Sequence, residues 1–97
     1  MQTISFPSNY KKALINKTKS ITIRPNQFGK YKVGKIYIAK SYSDNLWNIK
    51  IKILEINYPI VGTLSEYGIP KRSINSFIKK TKCENNQKVM LIKFKVI

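Results

Sequence analysis

The chain has no histidine, a single cysteine and only four acidic residues. Without histidine, triads that use an imidazole base, histidine acid–base pairs and histidine-ligated metal sites are all excluded. One cysteine cannot form an internal disulfide. Four scattered acids do not favour a carboxylate-rich Mg²⁺ or Ca²⁺ site. We therefore expect neither a metal site nor a cofactor.

Long apolar runs are also missing. The longest, residues 89–92, has four residues, far short of the roughly 18–20 that span a bilayer. The first residues lack the basic start and apolar stretch of a signal peptide, and Cys83 is interpreted as a free thiol of a reducing compartment. We expect a cytoplasmic protein with no membrane partner.

Basic residues are abundant, with 19 Lys and Arg against four acids and a net charge of +15 in 97 residues. The hydrophobic share of 42% and the aromatic share of 11% nevertheless suffice for a folded core. These values favour one basic domain over residues 1–97. Such a charge favours a polyanionic partner.

Hydrophobic periodicity predicts both helices and strands. Helical spacing predicts two helices, at residues 8–16 with Ser8 as N-cap and at residues 70–80. Two-residue alternation predicts strands, at residues 20–24, 35–40, 47–54 and 89–97. The apolar positions of these segments predict a core of Ile21, Ile23, Ile36, Ile38, Ile49, Ile51, Ile53, Phe77, Ile78, Leu91 and Ile92. The pattern favours a small curled mixed sheet or barrel.

Three short segments carry a family resemblance. Residues 14–24 lead from an apolar helix end through a basic turn into Ser-Ile-Thr-Ile-Arg, and residues 31–36 read Tyr-Lys-Val-Gly-Lys-Ile. Together with residues 91–95, they resemble the signature, the Gly turn and the last strand of ASCH domains. The resemblance implies an α+β, PUA-like β-barrel of about five strands with two helices.

Within that family the nearest pattern is the small N4-acetylcytidine amidohydrolase type. The resemblance places its catalytic lysine at Lys19, its threonine at Thr22 and the signature arginine at Arg24. The family's glutamate has no counterpart, because residues 68–73 are basic here, and Glu66 is the nearest acid. The implied alternative function is a metal-independent amidohydrolase on acetylated cytidine, or a weak ribonuclease, that uses Lys19, Thr22 and Glu66.

The basic residues form two groups along the chain, and ASCH and PUA-like domains are expected to hold their ligand at the barrel mouth. The candidate ligand-binding residues are Lys17, Arg24, Lys30, Tyr31, Lys32, Lys35, Lys71 and Arg72. The planar fork of arginine suits phosphate or base recognition. Aromatic side chains are candidate stacking faces for unpaired bases. These are Phe28, Tyr31, Tyr37, Tyr42, Trp47 and Tyr67, of which Tyr37 and Trp47 are more typical of core residues.

Two interpretations follow. The first is a binding module that grips RNA, or another single-stranded nucleic acid, by its phosphates, and the second is the amidohydrolase, with a modified nucleoside in the barrel pocket. A charge of +15 favours the first, because an enzyme for a free nucleoside does not need so basic a surface.

Overall fold

The computed structural model describes residues 2–18, 20–25, 28–43 and 46–97. Its five strands are β1 (Thr3–Phe6), β2 (Ile21–Arg24), β3 (Ile36–Ser41), β4 (Leu46–Asn57) and β5 (Met90–Val96). Its two α-helices are α1 (Lys11–Ile15) and α2 (Lys71–Thr81), and two 3-10 helices cover Ser8–Tyr10 and Val61–Tyr67. The α+β class is confirmed, as are the five strands and the two helices that the family resemblance implies.

The strands form one mixed sheet in the order β1-β3-β4-β5-β2. Strand β1 runs parallel to β3, and the other neighbours are antiparallel. The sheet curves into a half-barrel, and within the described part of the chain no backbone ladder joins its edge strands β1 and β2. The opening between these two strands is the feature that positions the candidate site.

Three local features differ from the sequence prediction. Strand β1 was not predicted, and the helix expected over residues 8–16 is a 3-10 turn followed by the five-residue helix α1. Ser8 lies inside that turn and is not its cap, since Pro7 precedes it without a side-chain capping bond. The 3-10 helix Val61–Tyr67 was also missed, and it ends at Gly68, whose φ of 82° favours glycine.

Two hydrophobic clusters share the sheet. One fills the half-barrel and includes Phe6, Tyr37 and Phe94. The other lies where α2 and the 3-10 helix Val61–Tyr67 pack, and includes Leu64 and Ile74. Helix α2 is therefore held to the sheet by its apolar face, with Phe77 and Ile78 half-buried beside the second cluster. No helix among the described residues has the length and apolar character to cross a membrane.

The core prediction is confirmed for β4 and β5 and inverted for β2 and β3. The predicted core residues that are buried are Ile49, Ile51, Ile53, Leu91 and Ile92. The predicted core residues that are only half-buried are Ile21, Ile23, Ile36, Ile38, Phe77 and Ile78. In β2 the buried side chains are instead Thr22 and Arg24. Alternation on a strand places Ile21 and Ile23 on the opposite face, against the second cluster.

Candidate ligand cleft

A cleft of about 680 Å³ lies between β2 and α2. Residues 20–25 form one wall, and helix α2 forms the other. The helix contributes side chains one, three and four positions apart, which is the spacing of a single helical face. These are Arg72, Ser73, Ser76, Phe77, Lys80 and Thr81. The helix therefore turns a polar, basic face to the cleft and packs on the sheet through Ile74.

Arg24 lies in the cleft wall at the end of β2 and is only 5% exposed. Its Nη2 donates a hydrogen bond of 2.5 Å to the Ser5 carbonyl oxygen on β1. Its guanidinium carbon lies 5.1 Å from the centroid of the Phe6 ring. A side chain thus links the two edge strands that no ladder joins, and the arrangement fixes the guanidinium in the opening of the half-barrel.

The Nε atom of Arg24 is buried and has no hydrogen-bond partner. No ion pair to a described acid neutralises the guanidinium either. The Ser5 carbonyl and the Phe6 ring offset only part of the desolvation cost of a buried cation that has no carboxylate partner. A hydrogen-bond acceptor or an anion in the cleft would offset that cost.

The three predicted catalytic residues are not brought together within the described structure. Thr22 lines the cleft and is 6% exposed, whereas Lys19 lies outside the described residues. Glu66 is exposed on the 3-10 helix Val61–Tyr67 and is not part of the cleft wall. The role of proton donor predicted for Glu66 therefore has no support in the geometry.

No other described acid reaches the cleft wall. Glu55 accepts a 2.7 Å hydrogen bond from Asn57 and lies 3.6 Å from the Lys93 ammonium group. Glu84 is exposed on the chain after α2. Among the described residues, no three metal-ligating acids or thiols come together. The cleft described here is basic and rich in hydroxyl groups.

Among the predicted ligand-binding residues, only Arg24 and Arg72 line the cleft. Lys71 is exposed on α2 but lies outside the cleft wall. The remaining lysines are also exposed and outside it, and they are Lys17, Lys30, Lys32 and Lys35. These four lysines therefore do not surround this cleft as the sequence predicted. The loop that carries Lys30 packs on β4 instead, where the Gly34 amide donates a hydrogen bond to the Ile53 carbonyl.

Tyr31 is buried, at 4% exposure, in the cluster that fills the half-barrel. Its ring meets Tyr37 edge-on at 5.3 Å between centroids, and the Lys30 ammonium lies 5.7 Å from the Tyr31 ring. The ring therefore has no open face for a stacked base. Burial raises the pKa of the Tyr31 hydroxyl, and the positive charge of Arg24 opposes that rise.

Lys80 and most of the hydroxyl side chains of the cleft were not predicted as site residues. The hydroxyl group set is Thr18, Ser20, Thr22, Ser73, Ser76 and Thr81, of which only Thr22 was a candidate. The signal that would have found Ser73, Ser76 and Lys80 is the second face of α2, because serine and lysine recur there at helical spacing. Polar helix faces are usually solvated, so the spacing alone does not distinguish a cleft wall from an ordinary surface.

No protein-family profile matches the chain, and no curated protein matches it in sequence. Solved structures do match. Two single-residue variants of the ZmASCH protein from Zymomonas mobilis superpose with TM-scores of 0.71 and 0.69, each at 15% identity over 96% of this chain. The ASCH domain from Lactobacillus crispatus JV V101 superposes with a TM-score of 0.61, at 10% identity over 92% of this chain.

The chain spans about two thirds of the length of these proteins, at 67%, 66% and 70%. The TM-scores of 0.61–0.71 establish similarity of fold over nearly all of the chain, at identities of only 10–15%. The expectation drawn from the three short motifs is confirmed at that level: the chain has the fold of an ASCH domain.

Proposed function

We propose that the protein binds single-stranded RNA and that the cleft between β2 and α2 holds one of its phosphates. The observation that carries this proposal is the basic composition of the cleft wall. Arg24, Arg72 and Lys80 line the cleft, and no described carboxylate does. Such a set of donors selects an anionic ligand.

The size and lining of the cleft suit a nucleotide. Its volume of about 680 Å³ lies in the range of roughly 300–1,000 Å³ that small-ligand sites occupy. The arginine forks and the lysine supply charge-assisted hydrogen bonds for a phosphate. The serine and threonine hydroxyls both donate and accept, which suits the sugar and base edges of RNA.

The charge outside the cleft supports a polymeric rather than a monomeric ligand. A single nucleotide carries few charges, whereas the chain has a net charge of +15. Lysines elsewhere on the surface contact successive phosphates of a strand and release condensed counterions, which supplies affinity without sequence preference. The exposed lysines outside the cleft therefore extend the contact beyond one nucleotide.

The amidohydrolase alternative is less well supported by the geometry. Cleavage of an exocyclic amide needs a group that protonates the leaving amine. Thr22 lies in the cleft beside Arg24, which favours this alternative, but none of the described glutamates lines the cleft. Binding requires only the cations that are present, so we favour it.

The proposal is tested with two double variants of one helix. Arg72→Gln with Lys80→Gln removes two charges from the cleft wall, and Lys71→Gln with Lys79→Gln removes two exposed charges outside it. Fluorescence anisotropy of a labelled single-stranded RNA at several salt concentrations reports affinity and salt slope. We expect the cleft variant to bind at least about tenfold more weakly and the slope to fall by about 0.7 per lost phosphate contact.

The control variant should lose less than about threefold, because each exposed lysine contributes little to the affinity. Equal losses in the two double variants would show that net charge, and not the cleft, carries the binding. Absence of wild-type binding below about 100 mM salt, where exposed charges are weakly screened, would refute RNA binding itself.

A further inference from the structure

Two aromatic rings lie together on the surface although neither belongs to a core cluster. Phe28 is 49% exposed and Tyr58 is 47% exposed. Their ring centroids are 5.9 Å apart, with 37° between the ring planes. The two residues come from the segment after β2 and the segment after β4, so the tertiary fold brings them together. About half of the surface of each residue is therefore open to solvent.

This pair lies at the same end of the sheet as Arg24. Ile23 pairs with Leu91 of β5, and Leu91 pairs on its other side with Asn57 of β4. Arg24 and Tyr58 are the next residues of two strands that both run antiparallel to β5. Two strand spacings separate their backbones by about 10 Å. The backbone spacing between Tyr58 and Arg24 is therefore suited to a neighbouring nucleotide of the same strand.

The charges around the pair favour a polyanion. Lys30 follows Phe28 by two residues, and Lys88 bridges to Ile60, two residues after Tyr58. Both lysines are exposed. The acid nearest to Tyr58 along the chain is Glu55, and it is already bound by Asn57 and Lys93. Aromatic rings with cations beside them are the features that bind unpaired bases of single strands.

We propose that Phe28 and Tyr58 form a stacking platform for one unpaired nucleobase, next to the nucleotide in the cleft. This inference rests on the proposed RNA binding and specifies the ligand: a flexible single strand, held by a phosphate in the cleft and by a base on the platform. Every base has a π-face, so the platform adds affinity without adding sequence preference.

The test uses Phe28→Ala and Tyr58→Ala, with Tyr58→Phe as the conservative variant and Leu54→Ala as an exposed apolar control. The ligands are a single-stranded RNA and inorganic polyphosphate, which carries the charge but has no bases. We expect each platform variant to bind the RNA about 5- to 150-fold more weakly, with an unchanged salt slope and an unchanged affinity for polyphosphate. Tyr58→Phe and Leu54→Ala should bind as the wild type does.

Several results would overturn the platform. Unchanged RNA affinity in both alanine variants would do so while leaving the cleft proposal intact. An equal loss for polyphosphate, or a change in the self-association of the protein alone, would assign the rings to folding or to a protein contact instead. If the wild type binds no RNA, the platform and the proposed function fail together, and the salt titration identifies that case.

Discussion

The molecule carries two cationic regions that differ in how they are held. In the cleft, Arg24 is 5% exposed and is fixed by Phe6 and the Ser5 carbonyl. In the loop before β3, Lys30 and Lys32 are exposed. The first region positions a charge at one place in the fold, whereas the second raises the potential over a wide area. The sequence alone predicts a binding role for both regions. The burial of Arg24 distinguishes the first region from the second.

The difference has an energetic side. An exposed lysine keeps its hydration and its side-chain entropy, so it costs the fold little. Buried Arg24 loses hydration, and one of its donors finds no protein partner. A protein selected only for stability would favour an apolar residue there. We interpret Arg24 as a residue kept for a ligand at some cost in stability.

The largest effect should come from releasing the wall of the cleft that α2 forms. Ile74 is the buried residue of α2, at 9% exposure. Ile74→Ala leaves a cavity between helix and sheet, and we expect the free energy of unfolding to fall by about 2–5 kcal/mol. Urea unfolding followed by circular dichroism measures this loss.

The same variant also tests whether the docking of α2 contributes to RNA binding in the cleft. If α2 loosens, the wall that carries Arg72 and Lys80 moves away from β2, and RNA affinity should fall further than the loss of folded protein alone explains. Ile78→Ala, at a half-buried position of the same helix, is the control and should cost less. RNA affinity in Ile74→Ala that tracks the folded fraction would show that the helix contributes nothing to binding.

The second largest effect comes from comparing a cation of the cleft with a cation of the loop before β3. Arg24→Met and Lys32→Met each replace one cation by an apolar side chain. Hydrogen bonds to charged groups contribute about 1.5–3 kcal/mol, so we expect Arg24→Met to weaken RNA binding by about 10- to 150-fold. Lys32→Met should change it by less than about threefold, because a surface cation contributes little. Anisotropy titrations at one salt concentration measure both.

The unfolding temperature of Arg24→Met is measured alongside its RNA affinity. We expect Arg24→Met to unfold at no lower temperature than the wild type, since the buried Arg24 has no carboxylate partner and one of its donors is unsatisfied. A fall in unfolding temperature of about 5 °C or more would assign Arg24 a structural role, as the tie between β1 and β2. Equal affinities in the two variants would contradict the distinction between the regions.

The elements with a strong period were predictable from sequence. The alternation of Ile and Lys in β4 and the helical spacing of α2 both match the structure, to within a few residues at the ends. Strand β1 was not predictable in this way, because its four residues pair in parallel with β3, which lies 30 residues further along the chain.

The faces of β2 were harder to predict for a physical reason. Ile21 and Ile23 pack toward α2, while Thr22 and Arg24 occupy the interior side. Alternation predicts that the two sets face opposite ways, but it does not say which side is more buried when both are covered. The candidate site was recognised through Arg24 and Arg72, whereas its wall on α2 needed the docking of that helix to the sheet.

The smallest expected effect is a pH dependence of stability at Tyr31, which lies in the loop before β3 and whose pKa is influenced by Arg24. Burial raises the pKa of this hydroxyl above its ordinary value near 10. As the pH rises through the unfolded value, the unfolded chain loses this proton before the folded protein does. Deprotonation then favours the unfolded state, so stability falls between the unfolded and the folded pKa, at no more than about 1.4 kcal/mol per pH unit.

Tyr31→Phe removes this contribution, so its stability should fall less steeply than that of the wild type above about pH 10. Urea unfolding at pH 9 and at pH 10.5 measures the difference, with Tyr67→Phe as an exposed control. Arg24 lowers the pKa of Tyr31 in the folded protein. In Arg24→Met, which retains Tyr31, the pH interval over which the protein loses stability should therefore be wider. Parallel curves for Arg24→Met and the wild type would show that the charge in the cleft does not act on the tyrosine at the base of the loop.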